Sequence, residues 1–407
     1  MSRRHLPLCL GMGQRNKTPD FCAVPARQHL SYDVEAMFRM KNALYTAAGT
    51  AFAAIAFTMI LGVLLVQAQR APLPLGNINP RTVKQLRICP AAYYPGMSCF
   101  SGMVQDCANA SDIGFSYGVV NPRGEVKGTI VFLEGGGGTS AYQDPSYPAK
   151  YLADGYQLVY VTWDTDWEAT SGSGGTSIKD AACRPATFLN YIYDNLYNQG
   201  GMCVQALSAG SGAAAYSLAW YGSSSYLDNV ELLSGPVFGN IEQGCVVPHA
   251  PTVTVCPTGQ FGCNGEQWPD PPDYVNADPG LVGHWSGQPS CNAGRITGQG
   301  ANAAWQAMSI VDGNDEPSFF YPQTSLAGWL CSNVDSEQNN SAAQAQFFFQ
   351  QFTGSGQTAA YSVTRIDHCN GPEDVSAGET PQGLNGFDAI TEHMVSSCFK
   401  RHFRHTP

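Results

Sequence analysis

Ser208 stands in a segment whose residue types and spacing suit a nucleophile: Cys203-Val204-Gln205-Ala206-Leu207-Ser208-Ala209-Gly210-Ser211-Gly212. A short apolar strand runs into the serine, and a run of small residues able to start a helix follows it. Ala206 and Gly210 flank the serine at minus two and plus two, where small residues let the two arms of a sharp strand-to-helix turn come close. Such a turn holds the hydroxyl clear of the sheet and brings the first N–H groups of the new helix toward a developing oxyanion. Small-x-Ser-x-small also arises by chance in a chain with 44 glycines, so the other parts of an acyl-transfer site have to be found.

The oxyanion donors are expected from Glu134-Gly135-Gly136-Gly137-Gly138, directly after an apolar run. Glycines present backbone N–H groups without side-chain obstruction. Gly136 and Gly137, with Ala209 after the nucleophile, are the candidate donors. A phosphate-cradling loop is the competing reading, but the full GxxxxGK[ST] pattern is absent. The candidate acid is Asp315, in Ser309-Ile310-Val311-Asp312-Gly313-Asn314-Asp315, with Asp312 as the alternative. The candidate base is His368, in Thr364-Arg365-Ile366-Asp367-His368-Cys369. His393 is the runner-up and falls within a helical stretch. The order Ser208, Asp315, His368 is that of an α/β-hydrolase triad.

These residues need a scaffold of strands alternating with helices. Strands are expected at 112–120, 128–133, 156–163, 202–207, 230–233, 305–311 and 358–366. Helices are expected at 141–153, 179–198, 209–222 and 384–402. Residues 70–110 lack clear periodicity and read as a Cys- and Pro-rich segment lying on the body. The alternation predicts an α/β fold with a mostly parallel central sheet and helices on both faces. Residues 239–300 contain four cysteines and many Pro and Gly, and are expected to form a disulfide-rich cap or insertion.

With the motifs in place, the chain resembles the α/β-hydrolases, and more narrowly the pectin acetylesterase and Notum-type carboxylesterases. The resemblance rests on Leu133-Glu134-Gly135-Gly136 after a strand and on Ser208-Ala209-Gly210 at the elbow, and it extends over roughly residues 110–400. Two positions depart from that group. The first small residue of the elbow is Ala206 where glycine is usual, and Gly137 stands where a tryptophan is common. The resemblance implies deacylation of an O-acyl ester, on a glycan or a lipidated target, with no metal or organic cofactor. Disulfides are expected between Cys183 and Cys203, which flank the helix leading into the elbow strand, and between Cys369 and Cys398. A lipase or peptidase on the same scaffold, or an inactive extracellular binding protein, are the alternatives.

Composition bounds these readings. Of 407 residues only 13% are charged and 11% are aromatic, which fits a compact, loop-rich globular protein. The net charge of −11 and the absence of a basic stripe argue against a nucleic-acid partner. Residues 43–68 carry no charge and follow Arg39 and Lys41. They read either as a secretory signal starting from Met37 or Met40, with a cleavage site at Val66-Gln67-Ala68, or as an uncleaved anchor behind a basic segment 1–42. Either way the body, 69–407, is a single domain outside the cytoplasm, and only an uncleaved 43–68 would contact a membrane. Twelve cysteines follow residue 68, and an even set in an exported chain reads as disulfides. Trp163, Trp167 and Trp268 are of a type that stacks on sugar rings, or that fills a core.

Overall fold

The structure of the chain, a computed structural model, describes residues 71–141, 146–168, 177–197, 200–233, 239, 309–311, 318–331, 348–352, 358–366 and 386–399. The described residues belong to one compact unit, Gln69–Pro407. The apolar run 43–68, the cap expected at 239–300, Trp268, Asp312, Asp315, His368 and Cys369 lie outside them. Among the described residues, no helix is long and apolar enough to cross a membrane.

Among the described residues, nine strands form one sheet: β1 (Lys84–Gln85), β2 (Ser98–Val104), β3 (Ile113–Val120), β4 (Gly128–Leu133), β5 (Tyr156–Trp163), β6 (Gly201–Leu207), β7 (Asn229–Leu233), β8 (Tyr321–Cys331) and β9 (Thr358–Ile366). Their order is β1-β2-β3-β5-β4-β6-β7-β8-β9. The pairs β1–β2, β2–β3 and β3–β5 are antiparallel, and every pair from β5 to β9 is parallel. The described helices are α1 (Ser146–Ala153), α2 (Ile178–Ala181), α3 (Cys183–Asn195), α4 (Ala209–Tyr221) and α5 (Gly386–Ser397).

The central strands are apolar on both faces because helices cover both. Val131 and Leu133 of β4 pack into a core shared with Phe188 of α3 and Tyr216 of α4. Ile130 and Phe132, pointing the other way, join Tyr151 of α1 and Ile390 of α5. Strict alternation between two cores is what period-two side-chain geometry gives in a parallel sheet covered on both sides. β6 is buried along its whole length.

Three expectations are corrected. Residues 309–311 are a bend, not the end of a strand, and the strand beside β7 is β8 instead. Pro322, the small residues Ser325, Ala327 and Gly328, and a register shift between Tyr321 and Ser325 blunt the strand signal in β8. The helix expected at 179–198 is divided after Ala181, and its first turn is held by a capping box between Ser177 and Asp180. The cysteine pairing also differs: the bonds are Cys89–Cys99, Cys107–Cys183 and Cys203–Cys398. Cys183 cannot meet Cys203 because the two belong to opposite faces of the sheet. Helix α3, about 20 Å long at 1.5 Å per residue, also runs between them. Cys398 closes onto β6 and so is not available to Cys369. Residues 70–110 contain β1, which is exposed, and β2, whose mix of exposed, half-buried and buried residues left no clear period.

Candidate active site

Ser208 joins the end of β6 to the start of α4 with φ 51° and ψ −121°. A left-handed φ is uncommon for a residue with a Cβ and persists only where surrounding structure enforces it. The other non-glycine residues with positive φ among the described ones are Asp106 and Asn109, types that tolerate it locally. The Ser208 N–H donates to the Leu233 carbonyl at 2.9 Å, which fixes the turn to the end of β7. The Ser211 hydroxyl donates to the carbonyls of Ala206 (3.0 Å) and Leu233 (3.2 Å).

The two small positions flanking Ser208 have different physical roles. A Cβ on Gly210 would come within 2.6 Å of the Leu133 carbonyl carbon, and backbone there cannot give way. Position 210 therefore requires glycine. At 206 a methyl group is accommodated in the core, with Ala206 fully buried. The departure from glycine at the first position thus leaves the turn intact.

The glycine loop after β4 lies against the serine. A Cβ built on Gly135 would be 3.0 Å from Ser208 Cβ and 3.6 Å from its Oγ. Gly136, Gly137 and Gly138 all have positive φ (56°, 72° and 75°) and form a single 3-10 turn, closed by the Gly138 N–H on the Gly135 carbonyl at 2.9 Å. Among the described residues, the N–H groups of Gly136, Gly137 and Ala209 donate to no turn or loop carbonyl. Ala209 opens α4, where the first backbone N–H groups have no intrahelical acceptor. A tryptophan at 137 is excluded by the left-handed φ and by Asp166, whose carboxylate packs where its Cβ would stand.

Further acids surround this loop. Glu134 and Glu168 are both buried. Burial, and secondarily the charge of Asp166, pushes the Glu168 carboxyl up to about 8. Burial above all raises the Tyr93 hydroxyl, and the charge of Glu134 adds to the effect. Trp163 and Trp167 are core residues, 5% and 1% exposed, so neither offers a face to a sugar. Instead their rings pack against Gly138.

His393, on α5, is engaged elsewhere. Its Nδ1 lies 2.9 Å from Glu231 Oε1, and its ring meets Trp329 edge-on at 5.9 Å. Burial raises the Glu231 carboxyl, opposed first by the hydrogen bond to His393. β9 ends at Ile366, two residues before His368. β8, which the sequence reading missed, ends at Cys331, and Asp335 follows it by four residues. Periodicity gave no sign of β8. The Asp after Cys331 gains meaning only once β8 is known to lie parallel between β7 and β9. Asp335, like Asp315 and His368, is outside the described residues. Among the described residues, no group of three or more His, Cys, Asp or Glu side chains is placed to hold a metal ion.

A mostly parallel sheet covered on both faces, with a strained serine between its sixth strand and the following helix, defines the α/β-hydrolase fold class. No family model matches the chain, and no curated protein matches its sequence. Among solved structures it is similar to an acetyl xylan esterase from Paenibacillus sp. R4, at 13% identity and a TM-score of 0.46, covering 80% of this chain and 90% of that one. It is also similar to a bacterial heroin esterase, at 11% identity and a TM-score of 0.41, covering 76% and 85%. A third is a hyperthermophilic esterase from the archaeon Pyrobaculum calidifontis, at 14% identity and a TM-score of 0.40, covering 73% and 85%.

Proposed function

We propose that this chain is an exported serine esterase that hydrolyses O-acyl esters through an acyl-enzyme. The observation that carries the reading is the backbone of Ser208: a strained serine wedged between Gly135 and the first turn of α4. Ser208 Oγ attacks the ester carbonyl. His368 accepts its proton and later returns it to the leaving alcohol. The N–H groups of Gly136, Gly137 and Ala209 receive the oxyanion, and the reaction needs no cofactor. The substrate class is an acylated glycan or lipidated target, in keeping with the resemblance to pectin acetylesterase and Notum-type enzymes. Three disulfides in the described residues suit an oxidising compartment outside the cytoplasm.

Asp315 is the acid expected from sequence. A specific observation favours a second reading, Asp335. Ser318 N–H donates to the Ala219 carbonyl at 2.9 Å. Ala219 lies ten residues into α4, about 15 Å along the helix from the Ser208 end. Ser318 is thus held toward the far edge of the sheet, and Asp315 has only three residues in which to return, at most about 11 Å. β8 then carries the chain back toward the nucleophile's edge, and Asp335 follows.

The test is hydrolysis of p-nitrophenyl acetate, butyrate and octanoate by the full chain beside Ser208→Ala, with fluorophosphonate labelling of both. Turnover and labelling that vanish in the variant, by several orders of magnitude in rate, are expected. A folded, disulfide-intact wild type that neither turns over nor labels would favour an inactive binding protein instead.

A further inference from the structure

The glycine loop at 135–138 has no side chains of its own, so its place beside Ser208 must be set from outside. The setting contacts come from the segment after β5. The Trp167 N–H donates to the Gly137 carbonyl at 2.9 Å. Asp166 packs on Gly137, and the rings of Trp163 and Trp167 pack on Gly138. The other end of the Trp167 residue is held as well: its carbonyl accepts from Arg184 Nη1 at 2.7 Å.

Arg184, at the start of α3, is 1% exposed. Further bonds run to Ser111. Nε and Nη2 donate to the Ser111 carbonyl at 3.0 and 2.8 Å, and Nη2 donates to the Ser111 hydroxyl at 2.7 Å. The planar guanidinium therefore bridges Ser111 and Trp167, a span that its fork geometry suits and a lysine ammonium does not. The bridge is covalently framed, because Cys183, next to Arg184, is bonded to Cys107, four residues before Ser111. Burial lowers the guanidinium to about 10, opposed by Asp112, so it stays charged at neutral pH.

We propose that Arg184 is a positioning residue for the esterase reaction. It holds the Trp167 peptide, and that peptide holds Gly137 so that the N–H groups of Gly136 and Gly137 stay aimed at the oxyanion. This rests on the reading of Ser208 and the glycine loop given above. A kinetic signature separates this role from mere stabilisation. A loosened oxyanion loop lowers the rate of the chemical step more than it weakens substrate binding, since the oxyanion exists only along the reaction path.

The experiment compares the full chain with Arg184→Met, Arg184→Lys and Ser208→Ala, measuring kcat and KM for p-nitrophenyl acetate and inhibition by phenylboronic acid, which forms a tetrahedral adduct on serine. In folded Arg184→Met, kcat should fall at least about tenfold with KM within about twofold, and the phenylboronate inhibition constant should rise in step. Arg184→Lys, which keeps the charge but not the fork, should recover only part of the loss. A folded Arg184→Met with wild-type kcat and phenylboronate inhibition would overturn the proposal. If Arg184→Met does not fold, the same wild-type values in folded Arg184→Lys would overturn it. Failure of the esterase reading itself looks different: the wild type would then be as inactive as Ser208→Ala.

Discussion

Backbone strain at Ser208 sets stability against function at a single residue. A positive φ costs a residue with a Cβ on the order of 1 kcal/mol that glycine does not incur. Ser208→Gly should therefore be more stable than Ser208→Ala, by roughly 1 kcal/mol in denaturant titrations, while both lack esterase activity. Equal stability of the two variants would mean that the turn is not strained. Glu168 makes a second residue-scale prediction. Its carboxyl rises from the ordinary range near 4.5 to about 8 in the fold, so the folded chain keeps a proton that the unfolded chain releases. The stability this contributes is complete below about pH 4.5 and is lost as the pH rises toward 8. Glu168→Gln binds no proton in either state. The variant's melting temperature should therefore gain on that of the wild type between pH 5 and 8 and then hold a constant difference.

Among the elements, the two ends of the parallel strands are secured differently. At the carboxyl edge, the elbow and the glycine loop are fixed by backbone contacts: Ser208 to Leu233, Gly210 against Leu133, and Trp167 to Gly137. At the amino edge, Cys203 of β6 is bonded to Cys398 just beyond α5, and the Tyr156 hydroxyl donates to the Val395 and Cys398 carbonyls at 3.0 and 3.1 Å. Cys203–Cys398 spans 195 residues, whereas Cys89–Cys99 spans 10. If restriction of the unfolded chain governs the gain, the long closure should be worth roughly 2–3 kcal/mol more than the short one. Paired Cys→Ala variants of each bond, compared by chemical denaturation, test this. Equal losses would place the stabilisation in the folded state instead.

On the scale of the whole molecule, the elements with strong periodicity were legible and the connections between them were not. The sequence marks β4, β6 and α4 because their apolar runs end in glycines or in the elbow, and β5 and β9 because each is a run of β-branched, aromatic and other apolar residues. It does not reveal that Cys183 and Cys203 face opposite cores, since that depends on which face of the sheet α3 covers and which face of β6 Cys203 takes. Nor does it reveal β8, whose Pro and small residues carry no strong strand pattern. The turn at Ser208 and the glycine loop after β4 were legible because the backbone conformations they adopt restrict residue type locally. Arg184 was not, because Ser111 and Trp167 are distant from it in sequence and each offers it a backbone carbonyl, which carries no residue signature.

The topology bears most directly on the triad acid. Six parallel strands, β5-β4-β6-β7-β8-β9, end on one edge, and Leu207, Leu233 and Trp329 are successive register partners across it. If His368 after β9 is the base, the end of β8, the neighbouring strand, can supply a carboxylate to it. Asp315, the acid expected from sequence, precedes β8, and Asp335 follows it. In the full chain, Asp335→Asn should lower kcat on p-nitrophenyl acetate by about 10⁴-fold, as loss of the group that fixes the histidine tautomer does. Asp315→Asn and Asp312→Asn should stay within about tenfold of the wild type. The reverse pattern, with activity lost at Asp315 and kept at Asp335, would return the acid to the crossover between β7 and β8.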